Sequence, residues 1–408
     1  MNESSRRMQR VLREITTGSA LVPVFAILLA MIVGAVMIAA TNVDVQETSG
    51  YFFSRPGDCL LAIWQAVSGA YTSLFQGAIY NFDAGNFTDG IRPLTDTLTN
   101  ATPLIAGGLG VALAFRVGLF NIGGQGQMLI AASVAGWIGF SFNLPPVVHL
   151  LVALLGGLAG GAVWGGLVGI LKARTGAHEV IVTIMLNYVA FYLVSWMLRT
   201  PGLLQAPGSS NPQSPPEAAN AILPKIFGPG YSTHFGLVFA LLATAVVWWI
   251  LVRSGLGFQF RAVGFNPRAA RVAGINVSRM YVYALLISAS LLGLAGVSQV
   301  LGTVNTGFTS TIDAGLGFDA ITVALLGRST PIGTLLAALL FGAFRAGGYS
   351  MQAVNQVPIE IVLVVQSLIV LFIAAPPLVR SIFRLPDPRR IRDQGLRLRR
   401  TKKAGVSA

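Results

Sequence analysis

Residues 147–171 read VVHLLVALLGGLAGGAVWGGLVGIL. The run holds no acid, lysine or arginine, and it exceeds the roughly 20 residues a helix needs to cross a bilayer core. A helix apolar on every side has no face for water. The stretch therefore predicts a membrane-spanning helix. Outward from it the pattern repeats at Ala20–Ala40, Leu98–Val117, Gln127–Phe142, Val180–Leu198, His234–Val252, Met280–Leu301, Pro331–Arg345 and Pro358–Leu378. Of the 408 residues, 54% are apolar and 11% charged, against roughly 25% charged in soluble domains. Those figures exclude an ordinary soluble enzyme and a disordered chain. The expected fold is an all-α polytopic membrane protein.

Basic residues orient it. Arg6, Arg7, Arg10 and Arg13 precede the first span, Lys172 and Arg174 lie between two spans, and Arg261, Arg268 and Arg271 fall in an acid-free loop. The tail after Leu378 carries ten more, from Arg380 to Lys403. All face the cytoplasm only if the number of crossings is even. The short apolar piece Asp319–Gly327 covers about 13 Å at 1.5 Å per residue, half of a broken helix of the kind transporters place at the midplane. Counting it gives about ten helices, some broken or half-length. The layout is then a cytoplasmic N-terminus over 1–19, a transmembrane domain over 20–378 and a cytoplasmic tail over 379–408. Within the domain, 41–97 and 199–233 are external and 253–279 is a cytoplasmic loop. The first external segment carries an amphipathic stretch, Leu60–Tyr80; the second is rich in Pro, Gly, Ser and Asn and reads as irregular. The formal charge of +13 becomes a signal of orientation in a plasma (inner) membrane, with lipid as the surrounding partner and no nucleic acid.

A catalytic reading finds little to build on. His149, His178 and His234 lack metal-ligand spacing, Cys59 has no second cysteine, and no P-loop occurs. The chain is read as no enzyme, with no cofactor of its own. Glycines 156, 157, 160, 161, 165, 166 and 169 form small-residue faces that let helices approach closely, within the subunit or at a dimer seam. Polar residues inside spans are costly and mark pathways or helix cross-links. Asn121, Gln125 and Gln127 join two spans, and Asn187 sits mid-helix; their uncharged amides suit a neutral polar solute. Asp319 is expected to cap its short helix and Arg345 to pair with Glu360. No carboxylate relay for a proton-coupled carrier can be assembled.

The cytoplasmic loop holds Arg261-Ala262-Val263-Gly264-Phe265-Asn266-Pro267-Arg268-Ala269-Ala270-Arg271-Val272-Ala273-Gly274. Asn266 suits an N-cap, Pro267 the first helical position and Gly274 the stop. A capped helix between two spans, with its arginines exposed, reads as a docking element.

Three stretches resemble the permease subunits of ABC importers of the branched-chain amino acid, ribose and nucleoside superfamily, in the nucleoside and simple-sugar branch. They are Gly118-Leu119-Phe120-Asn121-Ile122-Gly123-Gly124-Gln125-Gly126-Gln127, the Ala262–Ala270 stretch, and Gly317-Phe318-Asp319 continuing to Gly327. Gln125 departs from the glutamate common there. The resemblance implies an inverted repeat split near 199–233 and a second, related permease subunit. It also implies a cytoplasmic ATPase that binds the ATP and an external solute-binding protein. Gly264, Asn266, Pro267, Ala270 and Gly274 would form the coupling helix to the ATPase; Asn121, Gln125, Gln127 and Asn187 would face the solute path. Nucleosides lead as solute, ahead of simple sugars and branched-chain amino acids. The competing reading is a lone ion-coupled carrier.

Overall fold

The structure is a computed structural model that describes residues 21–375 together with 378, 381 and 382. The basic N-terminus and nearly all of the basic tail, on which the orientation argument leans, lie outside the described residues. The helices are α1 (Leu21–Thr41), α2 (Val43–Ser49), α3 (Pro56–Ala78), α4 (Phe87–Gly90), α5 (Arg92–Arg116), α6 (Gly124–Ser141), α7 (Pro146–Thr175) and α8 (Glu179–Met197). After the 199–233 segment come α9 (Gly236–Arg253), α10 (Gly255–Phe265), α11 (Pro267–Val272), α12 (Val277–Ser298), α13 (Leu316–Leu326), α14 (Pro331–Asn355) and α15 (Ile359–Ala374). A π-turn, Gln299–Thr303, closes α12.

Among the described residues six helices are long and apolar enough to cross a membrane, or seven if α1 and α2, bent by 72° at Asn42, count as one. The remaining apolar helices are shorter. α13 has 11 residues, about 16 Å at 1.5 Å per residue, far short of a bilayer core. It starts three residues before Asp319 because Gly315, at φ +78°, makes the left-handed turn ahead of it. α14 runs past Arg345 to Asn355, so Arg345 lies within the helix rather than at its end.

The described residues divide into two compact units, one falling within 1–70 and 355–408 and the other spanning 71–354. In the first, α1 packs along α15. In the second, α12 is the central helix and packs on α5, α6 and α7. The glycine stripe explains how. A Cβ on Gly161 would lie 2.7 Å from the Ala289 carbonyl oxygen, and one on Gly169 would lie 2.9 Å from Val282 Cα. Lipid gives helices no hydrophobic incentive to associate, so close backbone approach and dispersion hold this pair. That face of the stripe is occupied within the chain.

Helices α7 and α8 are joined by a short turn bridged by Lys172 and Glu179 at 2.8 Å. Residues 199–233 lack helix and strand, yet they are tied down. Ser214 N donates to Phe308 O, Glu217 N to Asn305 O, Ala218 N to Gly139 O and Leu223 N to Leu301 O. The segment seals the ends of α6 and α12.

Candidate functional site

The bend between α5 and α6 is built around one amide. Asn121 is fully buried; its Nδ2 donates to Gln127 Oε1 at 3.0 Å and to Ser288 Oγ at 2.9 Å. Its Oδ1 accepts from Gln127 Nε2 and from the Gly123 N–H, both at 3.0 Å. Asn187 reaches in from α8, accepting from Gly126 N at 2.9 Å and donating to Ile122 O at 3.0 Å. A chain reversal inside an apolar bundle leaves main-chain groups without partners, and each costs free energy if orphaned. Asn121 satisfies the Gly123 N–H and Asn187 the Gly126 N–H and the Ile122 carbonyl, while Gln127 holds the Asn121 amide in place. In this conformation their amides are engaged with protein.

Gln125 differs from these three. It is half-buried, and its Nε2 lies 3.5 Å from Asp313 Oδ1. Asp313, Asp319 and Arg345 complete a polar patch beside it. Arg345 Nη2 donates to Asp319 Oδ2 at 3.0 Å and to Ala314 O at 2.8 Å. Arg345 is thus paired with Asp319 in place of Glu360, and Gly315 rather than Asp319 caps α13. The pairing has a sequence signal. Asp319 is the only charge in α13 and Arg345 the only one in α14, and opposite charges inside a membrane seek each other.

The three sequence stretches, more than a hundred residues apart at the extremes, converge on this bend. A Cβ on Gly317 would collide with the Gln125 main-chain nitrogen, and one on Gly124 would lie 2.6 Å from Gly317 O. On the other side, a Cβ on Gly264 would collide with Arg116 O, while Gly118, at φ +78°, stacks against Gly264. Only glycine permits these backbone-to-backbone contacts.

Beyond Gly264 the chain enters α11 as the sequence predicts. Asn266 Oδ1 accepts from Arg268 N at 3.0 Å and Ala269 N at 3.1 Å, and Pro267 occupies the first position. Gly274 takes φ +83°, and Ile275 N closes the end on Ala270 O at 3.0 Å. Ala270 is the buried residue of the helix. Phe265 and Val272 project outward, 94% and 91% exposed. Asn276 then caps α12 through the Arg279 N–H.

Residues 94–374 match the family described as "Branched-chain amino acid transport system / permease component". This chain belongs to that family. The permease is 36% identical over 363 residues to the guanosine ABC transporter permease protein NupP of Bacillus subtilis, covering 89% of this chain and 95% of that one. It is 31% identical over 400 residues to the nucleoside ABC transporter permease protein NupB of Lactococcus lactis, covering 96% and 99%. The glucose ABC transporter permease protein TsgB13 of Haloferax volcanii matches at 32% over 360 residues, 86% of each chain. No solved structure matches. The family is one of membrane transport components rather than enzymes, and the chain is a multi-pass membrane protein.

Proposed function

We propose that this permease is a membrane subunit of an ATP-driven importer of nucleosides, working beside a second, different permease, a cytoplasmic ATPase and an external solute-binding protein. Similarity to the guanosine and nucleoside permeases over nearly the whole chain supports the solute class. A second guanosine permease protein of Bacillus subtilis, NupQ, also matches at 30%, which supports a related partner chain. The basic segments, including 253–279 and the two termini, face the cytoplasm in this reading.

One observation carries the mechanism: the capped helix α11 continues, through the Gly264–Gly118 contact, into the Asn121 network and the Gln125 patch. Helix α11 is the element that meets the ATPase, with Gly264, Asn266, Pro267, Ala270 and Gly274 setting its shape. Closure of the ATPase moves α11, and the glycine contacts pass that movement to the α5–α6 bend. There Asn121, Gln127 and Asn187 keep the bend rigid while Gln125 faces the solute path. A neutral amide at the path suits a solute that brings hydroxyls and ring nitrogens without net charge.

The test is uptake of labelled guanosine by cells with and without the gene, with adenosine, glucose and leucine as unlabelled competitors. Gene-dependent uptake that needs ATP and is blocked by adenosine supports the proposal. Blockage by glucose alone changes the solute, and uptake that survives ATP depletion overturns the importer. Replacing Asn266-Pro267 by Ala-Ala is expected to leave the assembled complex intact and abolish solute-stimulated ATP hydrolysis.

A further inference from the structure

A cavity of about 480 Å³ opens where the ends of α5, α9 and α10 meet the start of α14. One side of it is basic. Arg116, at the end of α5, and Arg261, on α10, both line it. Arg116 Nε donates to Ser329 O at 2.8 Å, which fixes the guanidinium plane and leaves both Nη groups for another acceptor. Neither arginine has an ion-pair partner among the described residues, whose two salt bridges lie elsewhere, and no acid lines the cavity. The other side is apolar: Trp248, Leu251, Val252 and Ile332. Three of these four also face outward, Trp248 40%, Val252 53% and Ile332 59% exposed. They continue the bare flanks of two helices that cross the membrane, where Leu242, Val246 and Trp249 on α9 and Leu336 on α14 are exposed in turn.

We infer that this cavity is a binding site for an acidic phospholipid, its headgroup phosphate between Arg116 and Arg261 and its acyl chains along α9 and α14. Guanidinium recognises phosphate through paired N–H donors, and uncompensated arginines beside hydrocarbon call for an anion. A lone phosphate ion would fill a small part of this volume and leave the apolar wall bare. A lipid satisfies both walls, and Trp248, five residues from the end of α9, is the residue type that favours the headgroup boundary at the end of a span. Basic pockets at helix ends select acidic lipids on these grounds. The inference needs only that α9 and α14 span a membrane, so it stands independently of the solute.

The experiment is native mass spectrometry of the purified, assembled transporter, offered equal amounts of phosphatidylglycerol and phosphatidylcholine, with retained lipid counted per complex. Each arginine near a membrane surface is expected to favour the acidic lipid by about fivefold. Wild type should prefer phosphatidylglycerol by about twentyfold or more, Arg261→Gln should lose about fivefold of that, and Val252→Trp, which fills the apolar wall without touching either arginine, should lose retention of both lipids. Arg271→Gln, on the exposed face of α11, should behave as wild type. An unchanged preference in Arg261→Gln together with unchanged retention in Val252→Trp overturns the site. So does displacement of phosphatidylglycerol by inorganic phosphate at millimolar concentration, which identifies a soluble anion as the occupant. Cross-linking of an Ile332→Cys variant to the second permease also overturns it, because the groove is then a subunit interface. None of these outcomes bears on uptake, so the transport reading is tested separately.

Discussion

Glu217 gives the sharpest handle on the 199–233 segment. Its carboxylate sits against Gly136 and Gly139 of α6, where a Cβ on Gly136 would lie 3.1 Å from Oε1. The residue is 6% exposed, and neither oxygen finds a hydrogen-bond partner. No charged group faces it from α6 or from the 301–308 segment, which presents Leu301 and Phe308. Burial alone therefore pushes its pKa up to about 8 from an ordinary 4.5. The docked segment holds a proton that the lifted segment releases between those two values. Docking is thus strongest below pH 4.5, weakens about tenfold per pH unit above it, and levels off beyond pH 8. Over the whole window this comes to roughly 5 kcal/mol, an upper bound because water entering a lifted edge softens the penalty. The assay is hydrogen exchange at the main-chain amides of Glu217, Ala218 and Leu223, expressed as protection relative to the free-chain rate at each pH. Wild-type protection should fall from pH 5 to pH 8, and Glu217→Gln should be flat. The amide brings its own unpartnered donors, costing about 1–3 kcal/mol, so the slope rather than the level is diagnostic. An equal slope in both proteins would refute the reasoning.

The α5–α6 bend should not survive loss of its central amide. Asn121→Leu orphans Gln127, Ser288 and the Gly123 N–H at about 1–3 kcal/mol each, and a Tm drop of several degrees in detergent is the expected reading; an unchanged Tm contradicts the network. Gly161→Leu drives a side chain into the Ala289 carbonyl and should abolish folded yield, whereas Gly255→Ala, which meets nothing within 4 Å, should leave it unchanged in size-exclusion profiles. Arg345→Gln leaves Asp319 without its partner and should cost more stability than the double change with Asp319→Asn, a coupling that a double-mutant cycle on Tm will show or deny.

What the residues declared in advance was whatever depends on local chemistry. The long run at 147–171, free of acids, lysine and arginine, reads as a spanning helix. Asn266, Pro267 and Gly274 specified a helix with both ends, because capping is settled within a few residues. What stayed hidden depends on which way a helix faces. A helix apolar all round offers no stripe to orient it, so Asn121, Gln125 and Gln127 looked equivalent. Their places in and just after the α5–α6 bend then separate them, two into the packed bend and one toward Asp313. The ends of the predicted spans pair Arg345 with Glu360, whereas the longer α14 sets it against Asp319. The 199–233 segment read as irregular from its prolines and glycines; its order comes from main-chain bonds to residues about eighty to ninety positions away, which composition does not encode.

The glycine contacts at the bend carry a mechanical consequence. Where Gly264 rests on Arg116 and Gly317 on Gln125, backbone meets backbone with no side chain between them. A leucine or methionine in such a joint would act as a cushion, since rotamers yield before main chain does. Here there is nothing to compress. In the proposed cycle, a push on α11 would have no play to take up before the bend felt it, so the joint would act as a gear tooth rather than a spring.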